Sequence, residues 1–365
     1  MTKLKEIIRF FEELAPLRLQ ESYDNAGLIV GSPDTDIDSV LVTLDVTEEV
    51  VDEAIQKKTQ LIVAHHPIIF SGLKKITGKN YVERTVIKAI KNDIAIYAAH
   101  TNLDSVTGGV NSKIAEKLGL QNCKILQPLK GQLKKLVTFV PTEHADKVRE
   151  AIFAAGAGTI GNYDSCGFNL EGRGSFRGNE NTNPFVGEKG TIHYETEIRF
   201  ETIFPGYLQH KVVSELLNAH PYEEVAYDIY PLDNHFEKAG MGMTGTLPEE
   251  KTEQQFLQQL KDTFKTGVIK HTRLKGTPVK KVAVCGGAGS FLLPDAISAK
   301  ADFFVSGDFK YHQFFDAENK IVIADIGHFE SEQFTKDLFY ELLMKNFPKF
   351  AVRLSEVDTN PVFYF

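Results

Sequence analysis

Residues 61–72 read LIVAHHPIIFSG, and this stretch points to both a fold class and a chemical site. The apolar run 61–64 predicts a strand buried on both faces, as in a parallel sheet covered by helices. The run ends in His65, His66 and Pro67, and Pro67 has no N–H to donate to a strand ladder. Successive side chains of a regular strand alternate, so two adjacent histidines can face the same way only after the strand has ended. This strand end is therefore the first candidate for a site.

Strand and helix patterns alternate through the first 125 residues. Helices of ten or more residues between strands indicate a largely parallel sheet with both faces covered. The N-terminal segment 1–16 has apolar residues at helical spacing between charges, which predicts an amphipathic helix. The predicted strands are 27–32, 39–46, 60–66 and 94–104, and the predicted helices between and after them are 47–58, 80–93 and 108–120.

The pattern changes at about residue 130 and changes back after Asn234. The intervening segment has the order βαββαβ, which predicts a small ferredoxin-like domain. We therefore predict an α/β fold of two similar halves flanking an inserted α+β domain. Its predicted bounds are 1–129 for the first α/β half, 130–235 for the insert and 236–365 for the second half.

Composition excludes several classes of protein. The 41 basic and 49 acidic residues give a net charge of −8, which disfavours a general nucleic-acid binder. No apolar stretch approaches about 18 residues, so we expect no membrane span. The cysteines Cys123, Cys166 and Cys285 are far apart and form no CxxC motif. They predict neither a disulfide framework nor a thiolate metal site, and a cytoplasmic location fits best.

Imidazole and carboxylate groups follow several predicted strands. Ligands of parallel α/β sheets bind beyond the carboxyl ends of the strands, so these groups are expected to meet. His328 and Glu332 are four residues apart and would share one helix face. Taken singly, such residues are ordinary loop histidines, a surface ion pair or a helix cap. The groups at the strand ends are His65, His66, His100, Asp104, Asp308, His312, Asp325, His328 and Glu332.

The number of these groups favours two metal ions. A single catalytic zinc takes about three protein ligands and a water, whereas five ligands suit two ions that share a carboxylate bridge. Imidazole and carboxylate ligands suit zinc, iron or manganese.

A glycine-rich turn follows another predicted strand. Residues 284–296 read VCGGAGSFLLPDA, and the backbone N–H groups of such a turn can hold phosphate. The turn lacks the Lys-Ser/Thr of a P-loop, so a tight turn that packs a helix closely on the sheet is the alternative. The candidate phosphate-binding residues are Gly286, Gly287, Gly289 and Ser290.

Six segments carry unusual motifs: YDNAGLIVG (23–31), AHHPIIFSG (64–72), YAAHTNLDS (97–105), CGGAGS (285–290), SGDFKYH (306–312) and GHFESE (327–332). Together they resemble the signature blocks of the Nif-three-like family, whose members are named GTP cyclohydrolase 1 type 2 homologues. Tyr23 stands where many members have tryptophan. The segment HPYEEVAYDIYPL (220–232) resembles the PII/CutA-like domain of the longer members.

The resemblance implies a dinuclear metal centre between the two α/β halves. By the family pattern, His66 and Asp104 would bind one ion, His65 and His328 would bind the other, and Glu332 would bridge both. It also implies a toroidal homohexamer with the metal sites facing an internal cavity.

The function implied is a metal-dependent hydrolase acting on a small molecule, GTP or another nucleotide. In a cyclohydrolase, activated water would attack C8 of guanine, and His100 and His312 are the candidate acid/base residues. Fold and metal site do not by themselves transfer a reaction. The alternative is therefore a non-enzymatic protein that binds or delivers metal or serves as a regulatory scaffold.

Overall fold

The computed structural model describes residues 2–365, which form two compact units. The α/β unit comprises Met1–Pro128 and Lys238–Phe365, and the inserted unit comprises Leu129–Glu237. The predicted mixed α/β fold class is confirmed. None of the helices in the described part of the chain could cross a lipid bilayer.

The first sheet of the α/β unit has five strands. Four are parallel, and the fifth, Gly27–Val30, is an antiparallel edge. The central strand Leu61–Ala64 is wholly buried, as its apolar sequence predicts. The spatial order of the strands is Ala351–Leu354, Ser39–Thr43, Leu61–Ala64, Ala95–Ala98 and Gly27–Val30.

The second sheet has six strands with a parallel centre. The centre is formed by Val279–Ala288, Phe303–Gly307 and Val322–Asp325. Its spatial order is Lys270–His271, Val322–Asp325, Phe303–Gly307, Val279–Ala288, Phe236–Lys251 and Gln121–Leu129.

The two halves of the α/β unit exchange strands, which the sequence does not predict. Ala351–Leu354 comes from the C-terminal half yet pairs with Ser39–Thr43 in the first sheet. Gln121–Leu129 comes from the N-terminal half yet is the edge strand of the second sheet. The halves are therefore one folding unit rather than two neighbouring domains. A further small pair joins Thr2–Lys3 to Asp36–Ile37.

Helices cover the sheets of the α/β unit, and several begin at caps visible in the sequence. The side chains of Thr47 and Asn80 accept hydrogen bonds from the first turns of their helices, and Thr252 forms a capping box with Gln255. The helices are Leu4–Leu14, Glu48–Gln56, Tyr81–Lys91, Thr101–Asp104, Val110–Lys117, Glu253–Phe264, Leu293–Ser298, His328–Glu332 and Thr335–Asn346, with 3₁₀ turns at Leu17–Leu19, Ser290–Leu292 and Tyr311–Ala317.

Each sheet of the α/β unit has an apolar core of its own. Leu41, Ile62 and Ile96 of the first sheet pack in one cluster with helical residues that include Val50. In the second sheet, an equivalent cluster contains Ala283, Phe304 and Ile323 together with Leu292, Leu293 and Ala296. Two rigid sheets thus hold the carboxyl ends of their strands in fixed positions.

The inserted unit is a four-stranded antiparallel sheet with two helices. Its order along the chain is βαββαβ, and the spatial order is fourth, first, third, second strand, as in a ferredoxin-like fold. A PII/CutA-like relationship for this unit stays a prediction. Its elements are Leu133–Pro141, Ala145–Ala154, Gly167–Phe176, His193–Pro205, Gln209–Ala219 and Tyr227–Pro231, with 3₁₀ turns at Thr142–His144 and Gly206–Leu208.

His220 is the buried imidazole of the inserted unit. Burial lowers its pKa below the ordinary value, and the ring pairs through Nε2 with the Phe139 carbonyl oxygen at 3.0 Å. The unfolded chain therefore binds more protons than the folded unit between the lowered pKa and about 6.5. Stability is complete above about pH 6.5 and is lost as the pH falls through this window.

We expect the thermal unfolding midpoint of the inserted unit to decrease as the pH is lowered from 7 to 5. The decrease should be smaller in His220→Gln. Differential scanning calorimetry measures this, and NMR titration of the ring gives the pKa directly. His235 provides the control, because it is an exposed histidine of the same unit and His235→Gln should retain the wild-type pH dependence. A His220 pKa at or above about 6.5 would contradict the expectation.

Candidate metal centre

A bend at the end of Leu61–Ala64 brings both adjacent histidines to one side. The backbone N–H groups of His65 and His66 both donate to the Leu44 carbonyl oxygen, at 3.1 and 3.0 Å. The strand has ended at this point, so the alternation of side chains no longer applies. The two imidazole centroids lie 4.9 Å apart, with His65 fully buried and His66 partly exposed.

Asp104, His328 and Glu332 lie on two short helices that follow strands. Asp104 ends the helix Thr101–Asp104, which follows the strand Ala95–Ala98 of the first sheet. His328 and Glu332 are the first and last residues of a helix that follows Val322–Asp325 of the second sheet. Their i, i+4 spacing places both side chains on one face.

The five predicted metal ligands converge. Glu332 lies between the histidines, with Oε2 at 3.0 Å from His66 Nε2 and 3.1 Å from His328 Nε2. Its other oxygen, Oε1, is 3.7 Å from His65 Nε2. His65 Nε2 is also 3.7 Å from Asp104 Oδ1.

These distances divide the ligands into two sets. His65, Asp104 and Glu332 form one potential metal-binding group, and His66, His328 and Glu332 form another. Each set uses a different oxygen of Glu332, which is the geometry of a bridging carboxylate. The pairing implied by the family resemblance, His66 with Asp104 and His65 with His328, differs from this arrangement. Adjacency in sequence does not reveal which imidazole turns towards which sheet.

Every histidine of the cluster is fixed through Nδ1, which leaves Nε2 for the centre. His65 Nδ1 pairs with the Ala99 carbonyl oxygen at 2.9 Å. The other three pair with carboxylates that orient the ring, as in known metal sites. The pairs are His66 with Asp45 at 2.7 Å, His328 with Asp308 at 2.7 Å, and His100 with Asp24 at 2.8 Å.

The donor atoms fit a bound cation. His65 Nε2, Asp104 Oδ1 and Glu332 Oε2 are buried, and none has a partner of hydrogen-bonding geometry among the described residues. Buried polar atoms are nearly always hydrogen-bonded, so three unsatisfied atoms in one place call for a shared partner. Nitrogen and carboxylate oxygen are the ligands that zinc, iron and manganese take in proteins.

The electrostatics of the cluster also require positive charge. Burial and the charge of Glu332 raise the pKa of Asp104 well above its ordinary value. Burial alone would raise the pKa of Glu332, but the neighbouring histidines hold it well below its usual range. Burial alone would lower the pKa of His66, yet Asp45 and Glu332 raise it to about 10. The raised pKa favours a neutral Asp104 in the metal-free chain, and a cation bound beside it would favour its ionised form.

The glycine-rich turn accommodates Glu332 and does not offer a phosphate cradle. The N–H groups of Gly286, Gly287 and Gly289 donate to the side chains of Asn111, Ser331 and Ser306, at 3.0, 2.9 and 3.0 Å. The Ser290 hydroxyl accepts from Gln313. Because these donors are already paired within the chain, the geometry does not support phosphate binding by the turn, and that role stays a prediction.

The glycines are required for close approach. Gly287 has φ +60°, and a Cβ there would collide with Glu332 Oε1. A Cβ on Gly286 would lie 3.2 Å from Glu332 Cγ. The absence of side chains thus lets the bridging carboxylate lie against the turn.

The two candidate acid/base histidines differ in placement. The His100 ring lies 5.2 Å from His65 and 5.3 Å from His66, between centroids, and borders the cavity of the site. Burial would raise the pKa of Asp24, but hydrogen bonds from His100 and Thr101 lower it to about 2, so a permanent carboxylate holds the ring. His312 is on Tyr311–Ala317 and does not line this cavity, so its predicted role has no geometric support within the chain.

A cavity of about 950 Å³ opens onto the cluster. Tyr23, Phe70 and Phe291 supply aromatic surface to its wall. The C-terminal segment also contributes, since Asn360 lines the cavity and Thr359 donates to Asp45 Oδ2 at 2.7 Å. The volume lies in the range of small-molecule sites.

Sequence reasoning misses the residues that orient the histidines. Asp45 follows the strand Ser39–Thr43, so it carries the same strand-end signal as the ligands. The sequence pattern identifies Asp308 as a strand-end residue but does not indicate what it does. Asp24 precedes a strand and therefore carries no strand-end signal. Thr359 and Ala99 act through contacts that no local pattern predicts.

The α/β fold and this cluster define a protein with a buried histidine and carboxylate centre able to bind metal. The family model of Duf34/NIF3 (NGG1p interacting factor 3) matches residues 2–361, and the chain belongs to this family. The family resemblance found in the sequence is thereby confirmed.

Close relatives cover the whole chain. A protein of Halalkalibacterium halodurans named GTP cyclohydrolase 1 type 2 homolog is 42% identical over 360 residues, 97% of each chain. A Bacillus subtilis protein of the same name is 41% identical over 362 residues, 98% of this chain and 97% of its own. The crystal structure of a Bacillus cereus protein related to NIF3 has a TM-score of 0.85 and 42% identity, covering 100% of this chain and 99% of that one.

Replacing Asp45 with asparagine should weaken metal binding without removing a ligand. The neutral amide would no longer hold the His66 ring as a charged partner, and such a loss typically costs about 10–100-fold in metal affinity. Competition with a chelating dye measures this for zinc. Asp52→Asn is the matched control, because Asp52 is half-exposed and pairs with Lys88 on the surface. Equal affinity in both variants would contradict the role of Asp45.

Replacing Gly287 with alanine should disrupt metal binding by displacing Glu332. The matched control is Gly276→Ala, since Gly276 has a similar φ of +73° but nothing within 4 Å of a new Cβ. Both variants should lose about 1–2 kcal/mol of stability from backbone strain. Only Gly287→Ala should lose zinc on gel filtration followed by elemental analysis. Zinc retention in both would show that the turn does not position Glu332.

Proposed function

We propose that this chain is a metal-dependent hydrolase that binds two divalent cations, zinc, iron or manganese. One observation carries the proposal: the two oxygens of Glu332 face two separate pairs of donors, beside a cavity. A storage or delivery site needs the donors but no shaped cavity. An enzyme needs both, because a substrate must reach the ions.

Different groups of the centre would have different roles in the proposed hydrolysis. Divalent cations in this centre would supply Lewis-acid activation of a water molecule. Glu332 would fix the position of one site relative to the other, because this single buried carboxylate would contribute one oxygen to each. His100 would exchange a proton with the substrate, since Asp24 fixes its Nδ1 and orients the ring towards the cavity.

The cavity lining restricts the substrate. GTP is a candidate because the relatives carry GTP cyclohydrolase in their names. The exposed rings of Tyr23, Phe70 and Phe291 offer surface for stacking a base. The lysine of the lining, Lys270, is paired with Asp325 at 2.5 Å, and carboxylates dominate the remaining charges. The lining therefore favours a base over a free triphosphate, whose charge the cations would have to neutralise.

The alternative is a non-enzymatic metal-binding or metal-delivery protein or regulatory scaffold. The burial of His65 and Glu332, at 0% and 3% exposure, favours retention of a metal ion over exchange with solvent. Turnover is the property that separates this alternative from a hydrolase.

We further propose assembly into a homohexamer, on the strength of the family resemblance. Sedimentation equilibrium should then give six times the chain mass of 40.8 kDa. A monomer at micromolar concentration would contradict this.

The test combines metal content with product analysis. Protein reconstituted with zinc, manganese or ferrous iron should contain about two ions per chain, and it should convert GTP or guanosine to a ring-opened or deformylated product detected by mass. His328→Ala should lose metal and activity. His271→Ala, which removes an exposed histidine outside the cavity, should retain both.

Each outcome has a defined meaning. Conversion of guanosine as fast as GTP would support recognition of the base. Two ions without conversion of either compound would favour the non-enzymatic alternative. Absence of metal after reconstitution would contradict the proposal.

A further inference from the structure

The inserted unit contains a second cavity, of about 440 Å³, that the metal chemistry does not use. It lies beside the edge strand Gly167–Phe176 and the neighbouring strand His193–Pro205. The residues that decide its chemistry are Gly174, Phe176, Phe185, Glu197 and Tyr222.

Three aromatic rings form a wall of this cavity. The Tyr222 ring packs between Phe176 and Phe185, with centroid distances of 6.0 and 6.3 Å and interplanar angles of 58° and 48°. Phe185 is 53% exposed and stands at the mouth, whereas Tyr222 lies deeper. The faces of such rings carry negative electrostatic potential and attract cations.

Glu197 places a buried carboxylate in the same cavity. It is 7% exposed, and its Oε1 accepts a hydrogen bond from the Tyr222 hydroxyl at 2.9 Å. Oε2 lies against Gly174 and has no hydrogen-bond partner among residues 2–365. No lysine, arginine or histidine of the described chain lies within ion-pair distance of Glu197. One oxygen of this carboxylate is thus paired and the other is available to a partner from outside the chain.

Tyr222 keeps Oε2 free for that partner. Burial raises the pKa of Tyr222, and the adjacent Glu197 raises it further. The hydroxyl therefore stays protonated and donates to Oε1 across the physiological range. The hydrogen bond fixes one oxygen of a carboxylate that lines the cavity and leaves the other without a hydrogen-bond partner among residues 2–365.

The remaining charges of the lining are predominantly acidic. Glu223 and Glu224 are exposed at the cavity, and Arg177 is the cationic residue there. Arg177 has no ion pair with Glu197. Electrostatics thus disfavour an anionic ligand such as a free nucleotide phosphate.

We propose that this cavity binds a small organic cation, an amidinium, guanidinium or ammonium group on an apolar or aromatic body. The charged group pairs with Glu197 Oε2, and the body lies against the rings of Phe176, Phe185 and Tyr222. A charge-assisted hydrogen bond to the charged group and packing of the body against the rings would then act on the same ligand. The proposal is independent of the metal centre and of hydrolysis.

The first experiment uses the full chain, loaded with zinc, and a matched pair of probes. Benzamidine carries an amidinium on a phenyl ring, and benzamide is its neutral counterpart of nearly the same shape. Saturation-transfer NMR should show benzamidine bound, with benzamide at least about tenfold weaker, because the charge-assisted bond is lost. Equal binding of the two probes would overturn the proposal. So would the absence of benzamidine binding at the highest concentration at which the probe is soluble.

Variants then place the binding at Glu197. Glu197→Gln should lose benzamidine binding by at least about tenfold. Glu201→Gln is the matched control on the same strand, where the carboxylate pairs with Lys135 and Arg199 outside the cavity. Benzamidine binding that survives in Glu197→Gln would mean that the probe occupies another site, and the proposal would fail.

A second variant covers the case in which Glu197→Gln is unstable. Gly174→Ala retains Glu197, but the new Cβ would collide with Oε2, so the carboxylate would be displaced from its position. The variant should still fold, because Gly174 has an ordinary backbone conformation and the atom that must move is the end of a flexible side chain. It should lose benzamidine binding, and retention of binding by this folded variant would overturn the proposal.

Discussion

The carboxylate of Glu332 is the constraint on which the site depends. It is nearly fully buried, and each of its oxygens faces a different pair of donors, one pair formed by His65 and Asp104 and the other by His66 and His328. A charge at this depth is stable only when it is neutralised by partners of good geometry. The glycine turn, the bend after Leu61–Ala64 and the i, i+4 spacing of the second-sheet helix all serve to bring partners to this one group. The first sheet supplies three donors and the second sheet supplies two, so neither half of the α/β unit is complete alone.

The next layer of contacts explains why the donors point inward. Each imidazole is held through Nδ1 by a backbone carbonyl or a carboxylate, and its Nε2 is therefore directed to the centre. The partners come from distant parts of the chain, and Thr359 near the C-terminus holds Asp45 in turn. The strand exchange also fixes a distant part of the chain near the centre, because Ala351–Leu354 anchors the C-terminal segment to the first sheet. Rigid sheets and tethered rings together give a preorganised centre.

Much of this architecture could be predicted from local sequence patterns. The buried parallel strands are short apolar runs, the helices begin at polar caps, and the five converging donors all follow strands. The strand exchange could not be predicted, because Gln121–Leu129 and Ala351–Leu354 pair with partners far away in sequence. The division of donors into two sets also depends on tertiary geometry, since adjacent His65 and His66 turn towards different oxygens of Glu332. The glycine turn suggested phosphate binding because its sequence pattern is the same whether its backbone N–H groups are free or already paired. The positions of Asn111, Ser331 and Ser306 decide whether these groups are paired, and a local pattern does not contain them.

Anomalous diffraction from crystals grown with manganese or zinc would locate the ions bound by Glu332. We expect two peaks per chain, one bound by His65 and Asp104 and the other by His66 and His328, with one oxygen of Glu332 bound to each. A single peak, or two ions that share the same oxygen of Glu332 while the other stays unbound, would contradict the bridging role of this carboxylate.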